Sequence, residues 1–456
     1  MTKADVLILG GGLAGLSTAY HLNALGRVSS LVVEKNPSVG GTAGTVAQDG
    51  FLFDYTGHLL HLHDERAKRL ILDLLGRNVA SHRRRSFIYS HGVHTPYPFQ
   101  ANTFGLPERV VEDCVAGFLR TVHRPGPSLP ANPSFESWCL RQFGPGISRH
   151  FMLPYNRKLW RLPLSKLTTE WQGRFVPRPS AAEVLCGALG AQKKAFGYNS
   201  SFRYPRRGGI QALSDAFLAR LRPGQVQVGC AVQKIDLRQR VAVVEGLGEV
   251  SFKRLVNTIP LPDFVDLAWP LSSEVRAARG RLRWNTVYNL NLGVARDVSD
   301  KHWVYFPEAR YPFYRVGFSH NFSRANAPAG AGAIYIEAAR PAGEAVDLVR
   351  LENAMLDGLR RCGILRSGDR LLTKLWLPIR CGYVVYDFAR TPALARILAA
   401  LRRRGVESIG RYGAWKYSFM EETILDGERC ARRLLGLGAP AGSGAPGWDA
   451  ELRPLR

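Results

Sequence analysis

Val6-Leu7-Ile8-Leu9-Gly10-Gly11-Gly12-Leu13-Ala14-Gly15, with the residues that carry it on to Glu34, establishes the fold class. Val6 to Leu9 is an apolar run of the kind that forms a buried parallel strand. The chain then turns at Gly10-x-Gly12-x-x-Gly15 into a helix, Leu13 to Leu25, that stops at Gly26; a second strand, Ser30 to Val33, delivers Glu34. Gly10 permits the tight turn, Gly12 lets the backbone approach a pyrophosphate, and Gly15 lets helix and strand pack closely. Leu13 and Ala14 open the helix, whose unpaired N–H groups and positive dipole end suit a phosphate. Glu34 stands about 20 residues on, where an acid accepts hydrogen bonds from a ribose diol. The unit is dinucleotide-binding and the fold class α/β, with a Rossmann-like first domain.

The next residues, Lys35-Asn36-Pro37-Ser38-Val39-Gly40-Gly41-Thr42-Ala43-Gly44-Thr45, resemble the second glycine motif of FAD proteins in the amine-oxidase and protoporphyrinogen-oxidase superfamily. That resemblance implies FAD as the resident cofactor, with Lys35, Gly41 and Thr42 beside it.

Composition narrows the rest. A chain of 456 residues, 46% hydrophobic, has material for two or three domains with full cores. No run of about eighteen uncharged apolar residues occurs, so no membrane span is expected. Met1-Thr2-Lys3 leads straight into the first strand, leaving no room for a signal peptide, and the expectation is a cytoplasmic protein. Seven scattered cysteines without a Cys-x-x-Cys pair read as reduced core thiols, not a disulfide frame or metal site. The formal charge of +25 is read first as arginine on solvated helix faces, as in Arg402-Arg403-Arg404. With no nucleic-acid module alongside it, a polyphosphate-like or nucleotide substrate is the functional alternative.

Further along, Arg66 to Leu75 reads as a helix, and residues 84–98 as a hairpin turning across His91-Gly92. Pro107-Glu108 starts a helix to Leu119; Pro125 to Pro133 is a link; Ser134 caps a helix to Phe143 that Gly144-Pro145-Gly146 should stop. Gly208-Gly209 should open a helix to Leu221, followed by a strand from Val226 to Ile235. Leu255 to Pro260 should return to the flavin sheet. Val287–Val294, Trp303–Phe306, Phe313–Phe318 and Ala333–Ala338 read as a separate antiparallel sheet, and Val346–Arg361, Leu394–Arg404 and Met420–Leu435 as helices. The expected division is a discontinuous FAD-binding domain (1–80, 200–265, 376–436), a helical domain (100–199), an antiparallel sheet domain (81–99, 266–375) and a flexible tail (437–456).

Five segments in order resemble the UDP-galactopyranose mutases, particularly the longer eukaryotic type. Phe53-Asp54-Tyr55-Thr56-Gly57-His58 looks like that family's mobile loop beside the flavin ring. Pro96-Tyr97-Pro98-Phe99-Gln100 is similar to its uridine-contacting segment. Pro154-Tyr155-Asn156-Arg157-Lys158-Leu159-Trp160 resembles the helical stretch whose Asn and Trp reach the substrate. Asn199-Ser200-Ser201-Phe202-Arg203-Tyr204-Pro205 with Gly208-Gly209, and Gly410-Arg411-Tyr412-Gly413-Ala414-Trp415-Lys416-Tyr417, complete the set. The likeness spans nearly the whole chain, to about Arg433.

The resemblance implies a nucleotide-sugar substrate, in a reaction interconverting pyranose and furanose forms with no net redox change. In it, N5 of the reduced flavin forms an adduct with the sugar; NADPH or another reductant would supply the reduction. Arg174 and Arg315 fall where the diphosphate arginines are expected, and Tyr305, Tyr383 and Tyr417 where tyrosines contact the phosphates. Tyr97, Gln100, Asn156, Trp160 and Asn199 would complete the substrate site. His58, Gly410, Arg411, Met420, Glu421 and Thr423 would meet the flavin, and with Arg174 and Arg315, His58 would carry the catalysis. The helix from Met420 should point its N-terminus at the flavin and favour the anionic reduced ring. No metal is expected.

Four positions depart from the family's pattern. Thr56 stands where a second glycine is usual before the histidine, His61 where a phenylalanine is common, Phe322 where a tyrosine is expected, and Met420-Glu421-Glu422 replaces an asparagine-containing segment. The competing function is an oxidoreductase of the amine-oxidase or protoporphyrinogen-oxidase kind, for which a diphosphate clamp has no use.

Overall fold

The computed structural model describes residues 2–26, 28–124, 128–197 and 199–439, with the backbone alone at Arg174. The Thr2–Leu9 strand lies at the middle of an eight-stranded sheet, parallel on one side to Ser30–Val33 and on the other to Gly248–Asn257. Leu7, Ile8 and Leu9 have no solvent exposure, as continuous apolar runs in parallel strands require. The helix Leu13–Leu25 follows directly and packs along the helix Met420–Leu434, where Gly427 fits closely against Ser17. Leu255 to Asn257 returns the chain to this sheet as expected, in register with Leu7 to Leu9.

A second eight-stranded sheet is built on Trp284–Val294, flanked by Gly332–Pro341 and by Leu371–Trp376 and Ile379–Val384. It continues through Arg315–Phe318 and Trp303–Tyr305 to the hairpin Ser86–Ser90/Val93–Pro96. That hairpin turns where expected, with positive φ at both His91 and Gly92, the conformation that matches the twist of paired strands. The sheet is not wholly antiparallel: Trp303–Tyr305 runs parallel to Ser86–Ser90, because these segments are distant in sequence and no tight turn joins them. A helical layer covers the open side: Glu108–His123, Phe135–Ile147, Leu153–Trp160 and Ala181–Ala188.

Several boundaries differ from the expectation. Gly144 leaves helical geometry (φ 73°, ψ 174°) and ends the first helix as expected, but a second helix begins at once beyond the kink. Pro145 is tolerated at the start of a new turn, and the chain runs on through a π-turn at Ser148–Met152 into Leu153–Trp160. Val226 to Ile235 is two strands, Val226–Gln227 and Val232–Asp236, parted by a turn at Gly229, where φ is 68°. Gly208 and Gly209 also take positive φ, so their helix begins at Gln211 and ends at Leu218. The Phe313 strand begins only at Arg315. All seven cysteines are free thiols; six are buried, but Cys186 is exposed, on the outer face of Ala181–Ala188. The Pro125–Pro133 link lies partly, and the tail from residue 440 wholly, outside the described residues.

Candidate active site

A cavity of about 840 Å³ runs between the two sheets and under the helical layer. One end is made largely of backbone. Gly10, Gly12, Leu13, Ala14, Glu34, Lys35, Gly41 and Thr42 line it. Gly10 has a φ of 100°, and a Cβ there would lie 2.6 Å from Thr258 Oγ1. Gly15 is off the wall: its task is packing, since a Cβ would collide with the Gly10 carbonyl. Gly12 is different. A Cβ on it would meet only the Gly40 carbonyl, at 3.9 Å, so the space before it is open to a ligand. Glu34 is buried and already held, accepting from the N–H groups of Gly11 (2.8 Å) and Asn36 (2.9 Å).

Two helices begin at this cavity without a side-chain cap, Leu13–Leu25 after Gly12 and Met420–Leu434 after Phe419. Each leaves orphan N–H groups and a positive dipole end for an anionic or electron-rich group, that of the second helix partly answered by Glu421 and Glu422 in its own first turn. Arg411 adds a charge: it donates to the carbonyls of Ser418 (2.6 Å) and Gly382 (3.0 Å) and faces the ring of Tyr417. A glycine cradle that a Cβ would fill, a buried acid and two uncapped helix starts suit a flavin dinucleotide. Met420 and Thr423 line the wall, while Gly410 and Glu421 do not. Gly410 packs on Ala14, and Glu421 accepts from the N–H groups of His63 and Asp64 (2.8 Å), tying that loop to the last helix.

The loop between the two ends is tightly specified. Asp54 accepts from Thr45 Oγ1 and the Tyr204 hydroxyl, both at 2.6 Å, and burial pushes its carboxyl up to about 6. Thr56 follows with a φ of 75°, costly for a β-branched residue. Gly57 must be glycine, because a Cβ would run into the Tyr335 hydroxyl. His58 then reaches the wall. Burial, followed by the charges of Arg411 and Arg315, lowers its pKa to about 4, so it is neutral at pH 7. Its Nδ1 is buried without a hydrogen-bond partner among the described residues, a polar atom that a ligand would satisfy.

The far end is made of side chains: Tyr97, Gln100, Asn156, Asn199, Tyr305, Arg315, Tyr383 and Tyr417 all line it. Burial raises the phenol pKa of Tyr97, Tyr383 and Tyr417, so these groups remain hydrogen-bond donors. Arg315 is not a free cation. Its Nε and Nη2 fork onto the buried Glu337 carboxylate, with Nε to Oε1 at 2.8 Å and Nη2 to Oε2 at 2.9 Å, and the Tyr314 hydroxyl donates to the same group. Burial opposes the charge on Arg315, but Glu337 overcomes it and holds the guanidinium well above its ordinary pKa. Arg315 lines the cavity, and its Nη1 makes no hydrogen bond among the described residues.

Trp160 is not on the wall. It lies behind Asn156, donating Nε1 to Asn156 Oδ1 at 3.2 Å, while Asn156 Nδ2 donates to the Met152 carbonyl at 2.8 Å. Gln100 donates to the Pro177 carbonyl, and its Oε1 is buried without a hydrogen-bond partner among the described residues. Asn199 accepts from Arg84. Arg174 falls in a 3₁₀ turn, Gly173–Phe175, and its side chain lies outside the described residues. Of the departures, His61 lines the cavity, whereas Phe322 sits in the core among Phe202, Tyr204 and Tyr335.

Sequence reasoning missed Tyr155, Tyr314, Tyr335 and Glu337. For Glu337 a signal existed: it is the lone charge in Ala333-Ile334-Tyr335-Ile336-Glu337-Ala338, a run that otherwise reads as core. A buried carboxylate in such a strand demands a cationic partner.

The sequence profile of the flavin containing amine oxidoreductase family matches residues 13–435. Among solved structures, one described as a reduced UDP-galactopyranose mutase is 25% identical with a TM-score of 0.91, covering 99% of this chain and 100% of its own. Wild-type putrescine oxidase bound to putrescine is 16% identical with a TM-score of 0.64, covering 95% and 99% of the two chains. A fatty acid isomerase from P. acnes is 13% identical with a TM-score of 0.64, covering 94% and 98%. The last two show the shared fold alone.

Proposed function

The chain belongs to the flavin containing amine oxidoreductase family, and from that premise we propose that it is a flavin-dependent mutase interconverting pyranose and furanose forms of a nucleotide sugar. The observation that carries this reading is the make-up of the far end of the cavity. It presents Arg315 and a group of phenols, Tyr97, Tyr305, Tyr383 and Tyr417, in one chamber continuous with the glycine cradle. Guanidinium and phenol donors are what a diphosphate needs. The full-length likeness to a reduced UDP-galactopyranose mutase points the same way.

A bound, reduced FAD would supply a nucleophile at N5, with NADPH or another reductant providing the electrons. The residues do the rest. Gly12, Gly41 and the two helix starts would hold the cofactor, and the Met420 helix start with Arg411 would favour negative charge on it. Neutral His58 would accept or donate a hydrogen bond through Nδ1 without adding charge. Arg315, with Arg174, would keep the leaving diphosphate in place for its return to the sugar. Glu337 would keep Arg315 from following the ligand.

The test is a product assay. Dithionite-reduced protein is offered UDP-galactopyranose and a small panel of nucleotide sugars. Repeated turnover to the ring isomer, without consumption of reductant and with oxidised enzyme inert, is the expected result. An oxidised product formed in step with an electron acceptor would replace this reading with an oxidoreductase.

A further inference from the structure

Outside the cavity the molecule carries a concentration of charge that the chemistry above does not use. The strands Ala80–Arg83 and Ser201–Tyr204 form a small antiparallel sheet of their own. Its inner face carries Phe202 and Tyr204, both buried, with His82 stacked on Phe202. The register pairs Arg83 with Ser201 and Ser81 with Arg203, so both arginines stand on the outer face as diagonal cross-strand neighbours, roughly 7–8 Å apart.

Arg84 and Arg85 extend one strand; Arg206 and Arg207 follow the other. Asn78 pins that turn, accepting from the Arg207 N–H at 2.9 Å and donating to its carbonyl at 3.0 Å, which brings Arg77 alongside. Neighbouring Arg220 and Arg324 have acidic partners in Asp73 and Asp297. Arg77, Arg83, Arg84, Arg85, Arg203, Arg206 and Arg207 make no ion pair among the described residues, and Asp300, the acid near Arg85, is taken by Lys301. Like charges this close destabilise a sheet, and no carboxylate among the described residues pairs with them to offset that cost.

The position of this ribbon is informative. Leu60 and Arg203 exchange backbone hydrogen bonds at 3.0 and 2.9 Å, and His61 Nδ1 lies 3.2 Å from the Ser201 carbonyl. Arg84 donates to Asn199 and lies 4.5 Å from the ring centre of Tyr97. His61, Asn199 and Tyr97 all line the far end of the cavity. Arg83, Arg84 and Arg203 therefore stand beside the substrate end, and Arg77, Arg206 and Arg207 continue the same charged surface along the ribbon away from it.

We propose that this arginine ribbon is a capture surface for the diphosphate of the incoming nucleotide sugar. It speeds arrival from bulk solution and is not part of the bound complex. A positive rim around a cavity focuses the field and raises association rates of anions by about 10- to 1,000-fold in favourable cases. The inference rests on the nucleotide-sugar reading.

The experiment measures association of UDP and of uridine with the reduced holoenzyme, by stopped-flow fluorescence. The variants are Arg83→Gln/Arg206→Gln/Arg207→Gln and the matching triple Lys variant. At low ionic strength the Gln variant should take up UDP roughly three- to tenfold more slowly, with dissociation and flavin content unchanged. The Lys variant should keep the wild-type rate. The difference should vanish near 1 M salt, where the Debye length is about 3 Å, and uridine, which carries no phosphate, should not respond. Equal UDP association rates in wild type and the Gln variant overturn capture, as does a slowing shared by uridine, which would report damage to the mouth. Wild-type enzyme that binds no UDP overturns the nucleotide-sugar reading itself, and this inference with it.

Discussion

The two ends of the cavity are built by different means. The cradle end is backbone: glycines that leave space, two helix starts without caps, and an acid held by the N–H groups of Gly11 and Asn36. The far end is side chains carried by elements distant in sequence, from Tyr97 to Tyr417, around an arginine that a buried glutamate holds. A backbone site tolerates change almost anywhere except at its glycines. A side-chain site is sensitive at each member and at the residues that hold those members in place.

The largest effect should come from the cradle. Gly12 has a φ of −75°, acceptable to any L-residue, and open space before it. Gly12→Val should therefore fold but lose its flavin altogether, read from the absorbance spectrum of the purified protein. A folded variant with stoichiometric flavin would end the contrast between the ends.

Next in size is Glu337. Its side chain is 1% exposed, and removing one partner of a buried pair costs about 3–5 kcal/mol. Glu337→Ala should lose that much in denaturant unfolding, and Glu337→Gln less. A change below about 1 kcal/mol would mean that Arg315 is positioned by something else.

Arg315 sharpens the comparison further. Arg315→Ala should weaken UDP binding to reduced enzyme roughly ten- to a hundredfold, the equivalent of about 1.5–3 kcal/mol for a charge-assisted bond. Arg315→Lys should keep most of the stability, since an ammonium can still answer Glu337, yet recover only part of the affinity without the planar fork. Unchanged affinity in the Ala variant, with flavin intact, would leave the far end without a diphosphate role.

The smallest effect is at the join. Thr56 holds a left-handed conformation that costs a residue with a Cβ about 1–2 kcal/mol, offset in part by the chain entropy glycine loses. Thr56→Gly should raise thermal stability by no more than about 1 kcal/mol. A large loss would show that the Thr56 side chain is itself what holds the loop.

Much of the cradle was legible because its determinants are local. Gly10, Gly12, Gly15 and Glu34 act through neighbours in one βαβ unit, where strand period, helix start and turn chemistry are all written within a short span. The same locality explains the hairpin at His91-Gly92. The strand endings at Gly229 and Phe313 were missed by a few residues, because tertiary pairing sets where a ladder stops.

Which side chains meet depends on the assembled chain. Trp160 reads in sequence as a residue facing the ligand, yet it stands behind Asn156. Arg315 reads in sequence as a diphosphate ligand and nothing more, yet Glu337 lies directly opposite it on the next strand, a pairing set by register across a sheet. The arginines of the ribbon come from two segments far apart in the chain, and their shared face exists only once Arg83 is opposite Ser201. The α/β class and the cradle follow from the order of residues alone, because backbone geometry answers to local residues. The chamber, its held arginine and its rim depended on the assembled fold, because Coulomb and hydrogen-bond energies depend on distances that sequence separation does not contain.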